Sequence, residues 1–221
     1  MIYSVILFQI TVSMAQSGKS YSNIVDMASK YFSQIAGVTF YERDFLAYGC
    51  FCNYQLNDKP TGRPVDAIDR ACESHRQCYS CTERGSSPQC RLKSWNQKTF
   101  GKKYKWKWIY FTTGGGEIVY NKFRNTNDKC TRDVFECDKQ LVKDLFEYRN
   151  EWQSKWHFSN FDYREEGRCQ DGGPIEDTMA RGRRKKNRIQ RERTPDDPQR
   201  RICCGGGENN PFKLTISDKC T

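Results

Sequence analysis

Apolar residues in the first part of the chain recur with a helical period. After Ser22 and Asn23, which can cap a helix, Ile24, Met27, Ala28, Tyr31, Phe32 and Ile35 fall on one face, and Gly37 can end it. A cysteine-rich stretch follows from Tyr48. Pro64 then opens a second helix, at a position where its missing N–H costs little, with Val65, Ile68, Cys72, His75 and Tyr79 as its stripe. Across 103–123 the period drops to two. Tyr104, Trp106, Trp108 and Tyr110 alternate with Lys103, Lys105, Lys107 and Ile109, and three glycines at 114–116 break the run before EIVYNKF resumes it, which predicts a β-hairpin. A third helix is expected over roughly Asp133 to Trp152, where Val134, Asp138, Leu141, Leu145, Tyr148 and Trp152 share a face. Asp138 is a carboxylate in an apolar stripe, and a buried acid needs a partner.

Two segments read differently. Ile2 to Val12 is mostly apolar and Ser13-Met14-Ala15 places small residues where a leader is cut, so 1–15 is expected to be a signal peptide. The run is too short to span a membrane. Residues 171–201 hold few apolar side chains and much Gly, Pro and charge, and read as a basic disordered insert. The net charge of the 221-residue chain is +10, of which the stretch from Arg181 to Arg193, including Arg183, Arg184, Lys185 and Lys186, carries +7. Arg181-Gly182-Arg183-Arg184 fits a dibasic processing cut, or simply a solvated basic loop. Only 36% of residues are hydrophobic while 12 are cysteines, so crosslinks are expected to supplement a thin core in an oxidising compartment. Nucleic acid is not an expected partner of a secreted chain.

The segment Tyr48-Gly49-Cys50-Phe51-Cys52, then Gly62-Arg63-Pro64-Val65-Asp66-Ala67-Ile68-Asp69-Arg70-Ala71-Cys72-Glu73-Ser74-His75-Arg76-Gln77-Cys78-Tyr79, resembles the secreted phospholipase A2 family. Glu136-Cys137-Asp138-Lys139 resembles the family helix that carries the second catalytic acid. The resemblance implies a mainly α, disulfide-rich fold over 22–170: two long antiparallel helices, an N-terminal helix and a small β-hairpin, with 202–221 tied back by cysteine. It implies that His75 acts as general base on a water attacking the sn-2 ester of a glycerophospholipid, that Asp138 orients the imidazole, and that Tyr79 supports the pair. It implies the bridges Cys52–Cys72, Cys78–Cys137 and Cys90–Cys130, with Cys50 joined to a C-terminal cysteine; Cys81, Cys169, Cys203, Cys204 and Cys220 share that partner and two further bridges, in an order left open. The family's first cysteine of the Cys-Cys pair and its partner on the third helix are here Ala71 and Asp144.

The departures bear on function. The family places an aspartate, a direct calcium ligand, after its catalytic histidine; here Arg76 stands there, and a guanidinium coordinates no cation and repels one. The loop between Cys52 and Pro64 is longer than the family pattern and has a single glycine, Gly62, where inward-turned carbonyls need several. Calcium, the family cofactor, is therefore expected to be lost, and no other cofactor is expected. The sequence points to a secreted, non-catalytic or weakly active phospholipase A2-like protein that binds a phospholipid membrane surface or an acidic extracellular polymer. Lys103, Lys105, Lys107, Trp106 and Trp108 of the hairpin and the basic run at 183–186 are the candidate contacts. The alternatives are an active phospholipase A2 and an otoconin-like mineral-matrix protein.

Overall fold

The computed structural model describes residues 20–46, 48–52, 63–85, 90, 104–125, 128–157, 159–160, 169 and 201–216. The expected leader at 1–15, the loop at 53–62, Lys103 and the basic residues Arg183, Arg184, Lys185 and Lys186 lie outside them.

Helix α1 (Ser20–Ala36) buries Ile24, Met27, Ala28 and Phe32 on one face, while Ile35, one turn further, is left exposed. Gly37 ends the helix at φ +66°, where a side chain would be strained. A short helix α2 (Glu42–Leu46) that the sequence did not signal brings Phe45 onto Phe40 in a stacked pair. Phe32 meets both edge-on, at 5.1 and 5.8 Å between centroids, and so locks α1 to this corner.

Helices α3 (Ala67–Gly85) and α4 (Lys129–Glu147) form the centre of the molecule. Cys78 is bonded to Cys137, and Ala71 and Asp144 wall the same cavity, so position rises on α3 as it falls on α4 and the pair is antiparallel. Helix α4 begins earlier than the apolar stripe suggests. Asp128 accepts from the Cys130 N–H (3.1 Å) and the Thr131 hydroxyl (2.7 Å), satisfying a donor that would otherwise face no partner, and the first turn forms around it. The helix also ends earlier, at Glu147, and the chain continues through two 3-10 turns to Trp156.

The central hairpin pairs β1 (Trp106–Tyr110) with β2 (Gly116–Tyr120), Trp108 opposite Ile118 and Trp106 opposite Tyr120. Because strand side chains alternate between faces, this register puts Trp106, Trp108, Ile118 and Tyr120 on one side. That side turns inward: Ile118 is buried, Tyr120 packs on Phe135 of α4, and Trp108 meets Tyr31 of α1. A second hairpin, β3 (Arg201–Cys204) with β4 (Lys213–Ile216), was not anticipated, and it takes Arg201 from the end of the segment read as disordered. Cys81–Cys203 staples it to α3, and Cys50–Cys169, Cys52–Cys72 and Cys90–Cys130 complete the described bridges. Cys204 is oxidised as well, its partner lying outside the described residues.

Candidate functional site

The site forms where α3, α4 and the start of the hairpin meet. His75 Nε2 lies 2.7 Å from Asp138 Oδ1, and both side chains are wholly buried. The Tyr79 hydroxyl donates to the same oxygen at 2.6 Å, and the Tyr104 hydroxyl donates to Oδ2 at 2.6 Å. A buried carboxylate is costly unless its lone pairs are met. Here three donors from two parts of the chain meet them, His75 and Tyr79 from α3 and Tyr104 from the residues ahead of the hairpin. Spacing along the helices explains the convergence: His75 and Tyr79 are one turn apart on α3, and each reaches across to the same residue of α4. With Nε2–H donated to Asp138, Nδ1 is the basic nitrogen of the imidazole, the arrangement of a general base oriented by an acid.

Tyr104 was missed at the sequence level as a site residue. Its place in the aromatic alternation assigned it to the strand, but the strand starts at Trp106, and Tyr104 turns inward ahead of it. The signal that points to it is chemical: a buried acid needs several donors, and a tyrosine is an apolar ring carrying one.

The segment Tyr48 to Cys52 is held against α3 by another buried acid. Asp69 accepts from the backbone N–H groups of Cys50 (3.0 Å), Phe51 (2.6 Å), Cys52 (3.3 Å) and Val65 (3.0 Å). Burial pushes its carboxyl up to about 6, against the downward pull of those four donors. Gly49 makes the approach feasible. It sits at φ +53°, and a β-carbon there would occupy the space of the Asp69 side chain. The Tyr48 hydroxyl donates to Asp66, and the Gly49 N–H to the Trp156 carbonyl at 2.9 Å.

Arg76 follows His75 on α3 and is buried with it. Its Nε donates to the Phe51 carbonyl at 2.7 Å. The described residues around it do not fit a calcium ion. Such an ion takes six to eight oxygen ligands, whereas here a fixed positive charge holds the nearby carbonyl oxygen.

The hairpin residues divide by face. Lys107 is exposed and Lys105 half-buried on the outer side. Trp106 and Trp108 are half-buried against the core, which corrects the expectation that they present a surface: the outer side is reserved for the residues between them. The apolar groups that the hairpin does expose are Ile109, Tyr110 and Phe111, at its tip, and Lys30 of α1 reaches the Tyr110 hydroxyl at 3.1 Å.

Comparison with known proteins agrees with this architecture. The family model described as Phospholipase A2 matches residues 28–156, more than half of the chain. A Phospholipase A2 from Calliactis polypus is 26% identical over 177 residues, covering 76% of this chain and 93% of its own length. An Acidic phospholipase A2 homolog from Bungarus fasciatus is 31% identical over 58% of this chain and 85% of its own, and a Phospholipase A2 homolog from Echis pyramidum leakeyi is 32% identical over 53% and 77%. The fold is thus a disulfide-linked, mainly helical one with a small antiparallel hairpin and a buried histidine–aspartate pair. The chain belongs to the phospholipase A2 family.

Proposed function

We propose that this chain is an extracellular phospholipase A2-like protein that has lost calcium-dependent hydrolysis and associates with anionic lipid surfaces. The observation that carries this reading is the buried Arg76, whose guanidinium is bonded to the Phe51 carbonyl beside His75. Ester hydrolysis needs the developing oxyanion stabilised, and the family does so with a metal ion worth several kcal/mol of barrier. A second cation brought next to a buried guanidinium would be repelled in a medium that screens poorly. The disulfides support an oxidising compartment. The overall charge of +10 and the outward Lys105 and Lys107 favour an anionic surface, and the exposed Tyr110 suits the region of lipid head groups.

Calorimetric titration of the oxidised chain with calcium tests the first half. No saturable binding at millimolar calcium is expected, and a stoichiometric site would overturn the reading. Co-sedimentation with vesicles of phosphatidylserine against phosphatidylcholine tests the second. Binding to the former that weakens as salt rises is expected.

The second reading, an active phospholipase A2, is favoured by the His75–Asp138 geometry with both tyrosines in place. Release of sn-2 fatty acid that disappears in His75→Gln would establish it.

A further inference from the structure

A cavity of about 440 Å3 lies between α3, α4 and β4, on a side of the helix pair to which α1 contributes no residue. That size falls within the roughly 300–1,000 Å3 usual for small-molecule sites. His75 contributes to its lining, but Arg76 and Phe51 do not, so it is separate from the place where a metal would bind. The resemblance puts a helix-to-helix bridge at positions 71 and 144. With Ala71 and Asp144 there instead, both residues line the open space.

Two opposite charges face this cavity from different walls, Asp144 from α4 and Lys213 from β4. Asp144 Oδ1 accepts from the neutral Gln140 amide at 2.6 Å. Lys213 is near enough to pull the Asp144 carboxyl down against the upward push of burial. Yet no ion pair joins them among the described residues. Leu141, Phe212 and Leu214 supply an apolar wall.

We propose that the cavity binds a small zwitterion with an apolar body, its ammonium set against Asp144, its anionic oxygens against Lys213 and its chain along Leu141, Phe212 and Leu214. Each simpler ligand meets a penalty. An apolar molecule would bury Asp144 further without a countercharge, an anion would face that carboxylate, and a cation would face Lys213. A molecule carrying both charges meets each with its opposite and still buries its chain. Two sources share this chemistry, short alkyl phosphoamines and free amino acids with large side chains.

Calorimetry on the full oxidised chain tests the proposal, with hexylphosphocholine below its micellar concentration and phenylalanine as separate arms. Saturable one-to-one binding in at least one arm is expected, and the arm that saturates identifies the source. Hexylammonium and hexyl sulfate, each bearing one charge, should bind at least tenfold more weakly. Asp144→Asn and Lys213→Gln should each weaken the zwitterion tenfold or more, and Ala71→Phe, which fills the space, should abolish binding. If Ala71→Phe does not fold, the two charge variants carry the test. Lys107→Glu on the outer hairpin should weaken vesicle binding yet leave the affinity for the zwitterion unchanged, which separates this site from surface attraction. Absence of saturation in both arms at millimolar ligand, or equal affinity in the wild-type and both charge variants, would overturn it.

Discussion

Arg76 Nε and the Phe51 carbonyl oxygen are 2.7 Å apart, and this bond ties helix α3 to the Tyr48–Cys52 segment at the residue that follows His75. A charge-assisted hydrogen bond in a buried setting is worth about 1.5–3 kcal/mol. Arg76→Met keeps the apolar stem and removes the donor, and it is expected to lower unfolding free energy by about 2 kcal/mol, read from urea midpoints at constant slope. Arg76→Asp is expected to destabilise further, because a carboxylate would then face the Phe51 carbonyl. It should not recover calcium binding by calorimetry, since the neighbouring loop also departs from the family pattern.

Tyr79 and Tyr104 donate to different oxygens of one carboxylate, so their removal should be coupled. Tyr79→Phe and Tyr104→Phe are each expected to cost about 1–2 kcal/mol, as a buried acid loses one donor. The double variant should depart from additivity by at least about 0.5 kcal/mol in a double-mutant cycle. Strict additivity would mean that the carboxylate does not link them.

Stability should fall as pH rises from about 4 to about 6. Burial raises the carboxyls of Asp26, Asp69, Glu136 and Asp144, Asp69 to about 6. In that window the folded chain keeps protons that the unfolded chain has released. Raising the pH therefore favours unfolding, until the folded groups have ionised and the effect levels off. Asp69 alone contributes roughly 3 kcal/mol to this trend. Glu208 is held low by Lys122 and Arg132 and acts in the opposite sense, but it is exposed and adds little. Urea midpoints at pH ~3.5 and ~7.5, on either side of that window, check the sign, and Asp69→Asn should flatten the slope while lowering both midpoints.

The bridge Cys81–Cys203 is a covalent hold of the second hairpin on helix α3. Replacing both cysteines by serine is expected to cost about 2–5 kcal/mol. Amide exchange should accelerate over β3 and β4 before it does over α3 and α4. Uniform acceleration would show that the hairpin is integral to the helix pair and needs no staple.

The helices were legible because their apolar residues keep a strict period, and the histidine–aspartate pair was legible through motif resemblance. Less visible were features set by single side chains or by long-range contact. Asp128 moved the start of α4 because a cap acts through one hydrogen bond that leaves no trace in periodicity. The alternation of 104–110 fixed two faces but not which one meets the core. That choice depended on Tyr31 and Phe135, distant in sequence, receiving Trp108 and Tyr120. The strands Arg201–Cys204 and Lys213–Ile216 are too short, and too rich in charge nearby, to carry a pattern of their own.

The bracing of Asp138 from α3 and from the residue ahead of the hairpin has one further consequence. The acid works as a keystone: strip away any chemistry, and the same atoms would still be required to keep those parts of the molecule in register. The histidine–aspartate couple therefore has a structural reason to persist in this scaffold whether or not turnover does, and the proposed loss of calcium-dependent chemistry rests on Arg76 rather than on that couple.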